Sequence, residues 1–163
     1  MSRVVNAVVV RDAAASDIGM VRRLFEAYAA SLDVDLCFQG FAEELAALPG
    51  DYAPPHGALL VACVDRETIG CVGLRSLARD GDAMIGEVKR LYVVPQARGA
   101  HAGRALMHGL FERARTVGYD MLKLDTLATM TSARALYATL GFRECAPYSP
   151  NPSPGVTYMA LHL

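Results

Sequence analysis

The sequence predicts an α/β domain of the α+β type, with a mixed, mostly antiparallel central sheet of about seven strands and helices on both faces. Three observations carry this prediction. Short apolar runs rich in valine, leucine and isoleucine recur between turn residues. Segments with apolar residues at helical spacing interrupt them. The resulting order, β-α-α-β-β-β-α-β-α-β-β, is not the regular alternation of a parallel sheet.

Residues 4–10 (VVNAVVV) read as the first strand. Asp17 reads as the N-cap of a helix with Val21, Leu24, Phe25, Tyr28 and Leu32 at helical spacing. A polar break at 33–35 leads to a shorter helix with Phe41, Leu45 and Leu48, which ends at Pro49-Gly50. The runs 57–64 and 68–75, joined by Asp65-Arg66-Glu67, predict a hairpin, and 84–94 extends it to an antiparallel meander. Pro95 stops that strand, and QARGAHAGR is a glycine-containing loop before a strong helix. Leu106, Leu110, Ala114 and Val117 form the apolar face of that helix, with Gly118 as its stop. MLKLDTL (121–127) is a short strand. Ala133, Leu136, Tyr137 and Leu140 then mark a helix closed by Gly141, and FREC and 156–163 supply the last strands.

With 163 residues and 17.5 kDa, the chain reads as a single domain spanning 1–163. An apolar content of 53% excludes a disordered chain, and 16 basic against 17 acidic residues leave no global field to recruit nucleic acid or an anionic membrane. Cysteines at 37, 63, 71 and 145 form no CxxC, and histidines at 56, 101, 108 and 162 form no HxxxH, so no metal is expected. Reduced, buried cysteines and an N-terminal apolar run broken by Arg11 and Asp12 lead us to expect a cytoplasmic protein without a membrane span or signal peptide.

The most informative segment is strand, Pro95, QARGAHAGR, helix. A helix N-terminus offers unpaired N–H groups and the positive end of a dipole, both suited to phosphate. Gly99 and Gly103 allow close backbone approach, and Arg98 and Arg104 add positive charge. No Gly-Lys-Ser/Thr and no GxGxxG is present, so the loop is neither a Walker A loop nor a dinucleotide fingerprint. On these residues alone it reads equally as an ordinary strand-to-helix turn.

RLYVVPQARGAHAGRALM resembles the acyl-CoA-binding motif of the GNAT superfamily of N-acetyltransferases, and ARALYATLGF resembles that family's tyrosine-bearing helix and following strand. The element order along nearly the whole chain is similar to the GNAT-like acyl-CoA acyltransferase fold, and DLCFQGF…LPGDYAPP resembles an uncharacterised subgroup of it. The resemblance implies that Leu91, Tyr92 and Val93 contact pantetheine and the acyl group through their backbone. It implies that Arg98, Gly99, Ala100, His101, Ala102, Gly103 and Arg104 wrap the pyrophosphate of acetyl-CoA, with no metal. Two positions depart from the family. His101 stands where the pattern has glycine, which is expected to work if its φ is negative, and Met130 replaces an asparagine often found seven residues before the tyrosine.

Acyl transfer to an amine needs a base, a polarised carbonyl and a proton donor for the leaving thiolate. Spacing alone reads Tyr137 as a core side chain; the match to ALYxxLGF assigns its hydroxyl as the donor. By the same resemblance, Val93 N–H polarises the carbonyl, and Glu87 or Asp125 is the base. The competing reading of either carboxylate is an ion pair with Lys89, Arg90 or Lys123. Strand alternation predicts Glu87, Leu91 and Val93 on one face, which favours Glu87. Phe38, Gln39 and Tyr148 are the candidate acceptor-binding residues.

The expected activity is direct, acetyl-CoA-dependent transfer of an acetyl group to a primary amine on a small molecule or peptide. The alternative is a non-catalytic acyl-CoA-binding sensor. No nucleic-acid or membrane partner is expected, and the resemblance is compatible with a homodimer.

Overall fold

The period-2 and period-3.6 segments resolve, in a computed structural model that describes residues 6–163 apart from the Phe38 side chain, into alternating strands and helices. In chain order these are β1 (Val9–Asp12), α1 (Ile18–Ala30), α2 (Phe41–Ala47), β2 (Ala58–Val64), β3 (Glu67–Ser76), β4 (Ile85–Val93), α3 (Ala102–Val117), β5 (Met121–Thr126), α4 (Thr131–Thr139), β6 (Arg143–Glu144) and β7 (Thr157–His162). One sheet runs in the order β1-β2-β3-β4-β5-β7-β6. The β4–β5 pair is parallel and all other neighbours are antiparallel. This is the predicted architecture.

Alternation along the strands sorts the core into two layers. Leu60, Val72, Leu74 and Val88 face α3 and α4, where Leu106, Met107 and Leu110 are fully buried. Leu59, Val61, Cys71 and Tyr92 face α1, meeting Val21, Leu24 and Phe25. Each leucine so buried contributes roughly 1.5–3 kcal/mol, so these two faces hold the sheet between its helices. Gly118 and Gly141 end α3 and α4 with φ of 98°, a left-handed turn that glycine makes without steric cost.

Several boundaries differ from the prediction. The first strand lies at 9–12 instead of 4–10, of which residues 4 and 5 fall outside the described set. Arg11 and Asp12 belong to it because this is an edge strand paired with β2, and each charge finds a surface partner, Asp17 and Arg113. Asp17 is not a side-chain cap of α1: it closes a preceding single turn, its carboxylate accepting from Ala14 N–H at 2.7 Å. The β2–β3 connection is two residues, Asp65 and Arg66, at φ of 50° and 69°, the sign pattern of a tight hairpin turn.

Candidate active site

β4 and β5 part company early. Their ladder holds Ile85↔Met121, Gly86↔Leu122 and Glu87↔Lys123, and beyond it the two strands open into a fork. Within β4 a bulge interrupts the register with β3 between Cys71↔Tyr92 and Gly73↔Lys89, and Arg90 takes a left-handed φ of 61°. A bulge adds one residue and strengthens the local twist. It also inverts the alternation beyond it. Glu87 lies on the α1 and α2 side of the sheet with Lys89, Arg90 and Tyr92, whereas Leu91 and Val93 pack toward α3. The expectation that Glu87, Leu91 and Val93 share a face is therefore corrected.

The same register decides which backbone groups reach the fork. Val94 N–H donates to Ile69 C=O at 2.9 Å, so antiparallel alternation spends the backbone of Tyr92 on Cys71 and turns that of Val93 away from β3. Val93 N–H thus faces the fork, while the Tyr92 backbone does not. Val93 C=O accepts from Arg98 Nε at 3.2 Å, and the Tyr92 side chain is buried edge-on to Tyr28.

The loop after β4 delivers the chain to the N-terminus of α3. No side chain caps this end, so the first amides of the helix keep their donors free. Gly99 has φ of 93° with open space where a Cβ would stand. His101 has φ of 61°, which corrects the expected negative value; the turn into α3 demands the left-handed region, and histidine tolerates it better than branched residues. His101→Gly is expected to raise stability by about 1 kcal/mol and to bind CoA at least as well, read by thermal melting and calorimetry. Loss of most of the affinity would instead make the imidazole a ligand contact. Arg98 leans over the Tyr92 ring, and Arg104 donates to Thr139 Oγ1 at 2.9 Å, so both arginines brace the loop from its two sides.

Gly103 sits one residue inside the helix, where a Cβ would stand 3.4 Å from Leu136 Cδ2. Gly103→Asp therefore fits sterically, and an acidic residue in the first turn favours the helix. The same charge would repel a bound pyrophosphate. CoA affinity is expected to fall about tenfold or more, with an unchanged or higher melting temperature. Calorimetry showing unchanged affinity in the folded variant would remove the pyrophosphate from this loop.

Tyr137, on α4, is buried with its ring tilted against Phe142 at 5.6 Å. Its hydroxyl donates to none of the described residues, and burial, then Tyr28 and Asp125, push its phenol above the ordinary tyrosine range. Tyr28 and Asp125 also line a narrow recess at the end of the fork, with about 20 Å³ of space for a water-sized molecule. Gln39, Arg90 and Asn151 are further polar walls, and Leu36, Leu127 and Met130 are apolar ones.

The two candidate bases sit differently. Glu87 is 2% exposed, with Oε1 taken by Arg75 Nε at 2.7 Å and Oε2 by Tyr148 hydroxyl at 2.6 Å. Burial first, then the Glu87 charge, push the Tyr148 phenol up, so it stays a donor. Asp125 accepts from Asn151 Nδ2 at 2.9 Å on one oxygen, and its other oxygen lies 3.7 Å from Lys89 Nζ. Asp125 lines the recess and Glu87 does not. Lys89 also donates to Gln39 Oε1 at 3.1 Å, and burial holds its ammonium below the ordinary lysine range. Of the predicted ion-pair partners, Lys89 takes Asp125, Arg90 takes Glu44, and Lys123 lies over the Tyr148 ring.

The predicted acceptor residues divide too. Gln39 lines the recess, Tyr148 anchors Glu87, and the Phe38 side chain lies outside the described residues. Sequence reasoning missed Tyr28, Arg90 and Asn151 as walls. The one signal was the adjacent Lys89-Arg90 pair inside an apolar strand, which simple alternation would split between faces. Among the described residues no cluster of three histidine, cysteine, aspartate or glutamate side chains could hold a metal, and no helix is long and apolar enough to cross a membrane.

Compared with known proteins, residues 21–142 match the family model described as the acetyltransferase (GNAT) family. An uncharacterized N-acetyltransferase of Schizosaccharomyces pombe is 37% identical over a stretch covering 90% of this chain and 89% of its own. A Staphylococcus aureus acetyltransferase of the GNAT family superposes with a TM-score of 0.78 at 18% identity, covering 96% of this chain and 99% of that one. A Salmonella typhimurium acetyltransferase solved with its cofactor acetyl-CoA superposes with a TM-score of 0.70 at 20% identity, over 96% and 94% of the two chains. At such identities the two structures are likenesses of fold.

Proposed function

This chain belongs to the acetyltransferase (GNAT) family, and from that premise we propose that it transfers an acetyl group directly from acetyl-CoA to a primary amine. The observation that carries this reading is the fork itself. It brings an uncapped helix N-terminus, a strand N–H without a ladder partner, a buried phenol and a carboxylate-lined recess to one place. The residues fit acetyl-CoA: the amides from Gly99 to Arg104 suit its pyrophosphate, and Val93 suits its acyl end. Acetyl-CoA supplies the activated thioester.

Asp125 takes one proton from the incoming ammonium, either directly or through a water in the recess. As the new C–N bond forms, Val93 N–H donates to the carbonyl oxygen on which charge develops. When the C–S bond breaks, Tyr137 gives its hydroxyl proton to the departing sulfur, and the second proton that the nitrogen loses on becoming an amide returns to the Tyr137 phenolate. Glu87 holds Arg75 and Tyr148 in place and stays out of the proton transfer. Transfer is direct in this reading because no cysteine lies in the two motifs; Cys71, on β3 beside β4, is fully buried, and burial pushes its thiol well above the range of a reactive thiolate.

Release of free CoA thiol from acetyl-CoA, followed across a panel of amines, tests the reading. Release that depends on an amine supports it. Tight CoA binding with no release for any amine would favour a sensor. The pH profile is a separate expectation. Because its phenol is shifted upward, Tyr137 stays protonated, so kcat at saturating substrates should show no alkaline decline below about pH 10. A fall in kcat with an inflection near neutrality would assign the proton donor elsewhere.

A further inference from the structure

The loop between β6 and β7, CAPYSPNPSPG, carries proline at 147, 150, 152 and 154. Proline fixes its own φ and biases the residue before it toward extended backbone, so Ser149, Asn151 and Ser153 are each restricted. Tertiary contacts pin the same stretch. The Tyr148 hydroxyl donates to Glu87 Oε2 at 2.6 Å, and the Tyr158 hydroxyl of β7 donates to Ser149 C=O at 2.6 Å. Asn151 follows directly, and its own Oδ1 accepts from Ser153 N–H at 3.0 Å. That bond orients the amide: Oδ1 is used within the loop, and Nδ2 is left to donate to Asp125 Oδ2 at 2.9 Å.

Asp125 is left with two unlike oxygens. Oδ2 carries the Asn151 bond, while Oδ1 accepts no hydrogen bond from the described residues and lies 3.7 Å from Lys89 Nζ. Asp125 and Asn151 both line the narrow recess. The titratable groups around Asp125 are Lys89 and Arg90 on β4, the phenols of Tyr28 on α1 and Tyr137 on α4, and those of Tyr148 and Tyr158. Lys89 in turn feels Glu87 and Arg75. None of these is hydrogen-bonded to either oxygen of Asp125. An unheld carboxylate turns broadly about χ2 and presents either oxygen. Held by Oδ2, it presents the other oxygen in one place, as a proton acceptor requires.

We infer that Asn151 is a positioning residue for the acetyl transfer: it holds Asp125 by Oδ2, so that Oδ1 is the oxygen that takes the proton of the amine. This rests on the reading of Asp125 as the base.

The test compares Asn151→Ser and Asn151→Asp with wild type and Asp125→Asn. A serine hydroxyl can still accept from Ser153 N–H, so the turn survives, but it is too short to reach Asp125. Aspartate keeps that acceptor and sets a second carboxylate beside the first. Carbon-13 NMR of the CoA complex, with aspartate labelled at its side-chain carboxyl, follows Asp125 without any acceptor; its signal is the one missing in Asp125→Asn. Losing a donor favours the protonated carboxyl, so the Asp125 midpoint should rise by about half a pH unit or more in Asn151→Ser. In Asn151→Asp the two carboxylates should share a proton, with a higher midpoint still. Thiol release with the most active amine of the panel should fall about tenfold in kcat/KM for Asn151→Ser, and Asn151→Asp should regain rate as pH rises. Midpoints like wild type, or a loss equal at every pH that tracks a lower melting temperature, would overturn the inference. A slow Asp125→Asn with both Asn151 variants turning over like wild type would overturn it and leave the base reading intact. Wild-type release in Asp125→Asn would overturn the base reading and the inference with it. Shifted midpoints without release for any amine would overturn acetyl transfer, and the proton role of Oδ1 with it.

Discussion

Tyr137→Phe is expected to lower kcat by about 10²-fold while leaving CoA affinity and the melting temperature near wild type. The ring fills a slot between α4 and the sheet, against Phe142 at 5.6 Å, and the substitution keeps that ring. The hydroxyl makes no hydrogen bond to a described residue, so its removal strands no partner and costs little stability. What is lost is a proton donor beside the recess. The deficit should shrink with acyl donors whose leaving thiol is more acidic, because such a thiolate departs with less need of a proton. Full activity with acetyl-CoA would return Tyr137 to the core.

The second large effect is expected at Asp125. Asp125→Asn keeps the shape and an oxygen able to accept from Asn151, but removes the group that accepts a proton at the recess. A kcat/KM loss of roughly 10²-fold follows, and the limb that rises with pH should move toward the pKa of the amine itself. Glu87→Gln is the contrasting variant. It breaks the ion pair with Arg75 inside the sheet face, with an expected cost of about 1–3 kcal/mol, yet leaves the shape of the pH profile unchanged. If Glu87→Gln reshapes the profile and Asp125→Asn only lowers stability, the base is Glu87. Profiles like wild type in both would mean that solvent deprotonates the amine.

That contrast reverses the order in which the sequence ranks the two carboxylates, and the cause is one residue. Counting along 87–93 assumes an unbroken period of two, and under that assumption Glu87 shares a face with Leu91 and Val93. The bulge at Arg90 adds one residue, so the count fails by one and every side chain after it changes face. The sequence around it, VKRLYVV, contains no glycine or proline to mark the irregularity. Lys89 and Arg90 then fall on the same side and reach Asp125 and Glu44, partners 36 and 46 positions away along the chain. His101 is the same lesson at a second site: its sign of φ is set by the path from β4 into α3 and not by the residue type.

Local chemistry was enough for much of this protein. Apolar spacing along α1, α3 and α4, the stops at Gly118 and Gly141, and the runs of β2 to β4 depend on neighbours within a few residues, so element order was legible from the chain. The helix-opening loop from Gly99 to Arg104 was legible for the same reason, since its orphan amides come from one contiguous segment. Which carboxylate lines the recess, which backbone N–H faces the fork and which cation pairs with which carboxylate were decided only by tertiary structure. Each depends on pairing register between strands, and register is a long-range choice. It is made by the fit of whole faces against α1 and α3, and a single inserted residue reassigns every group beyond it.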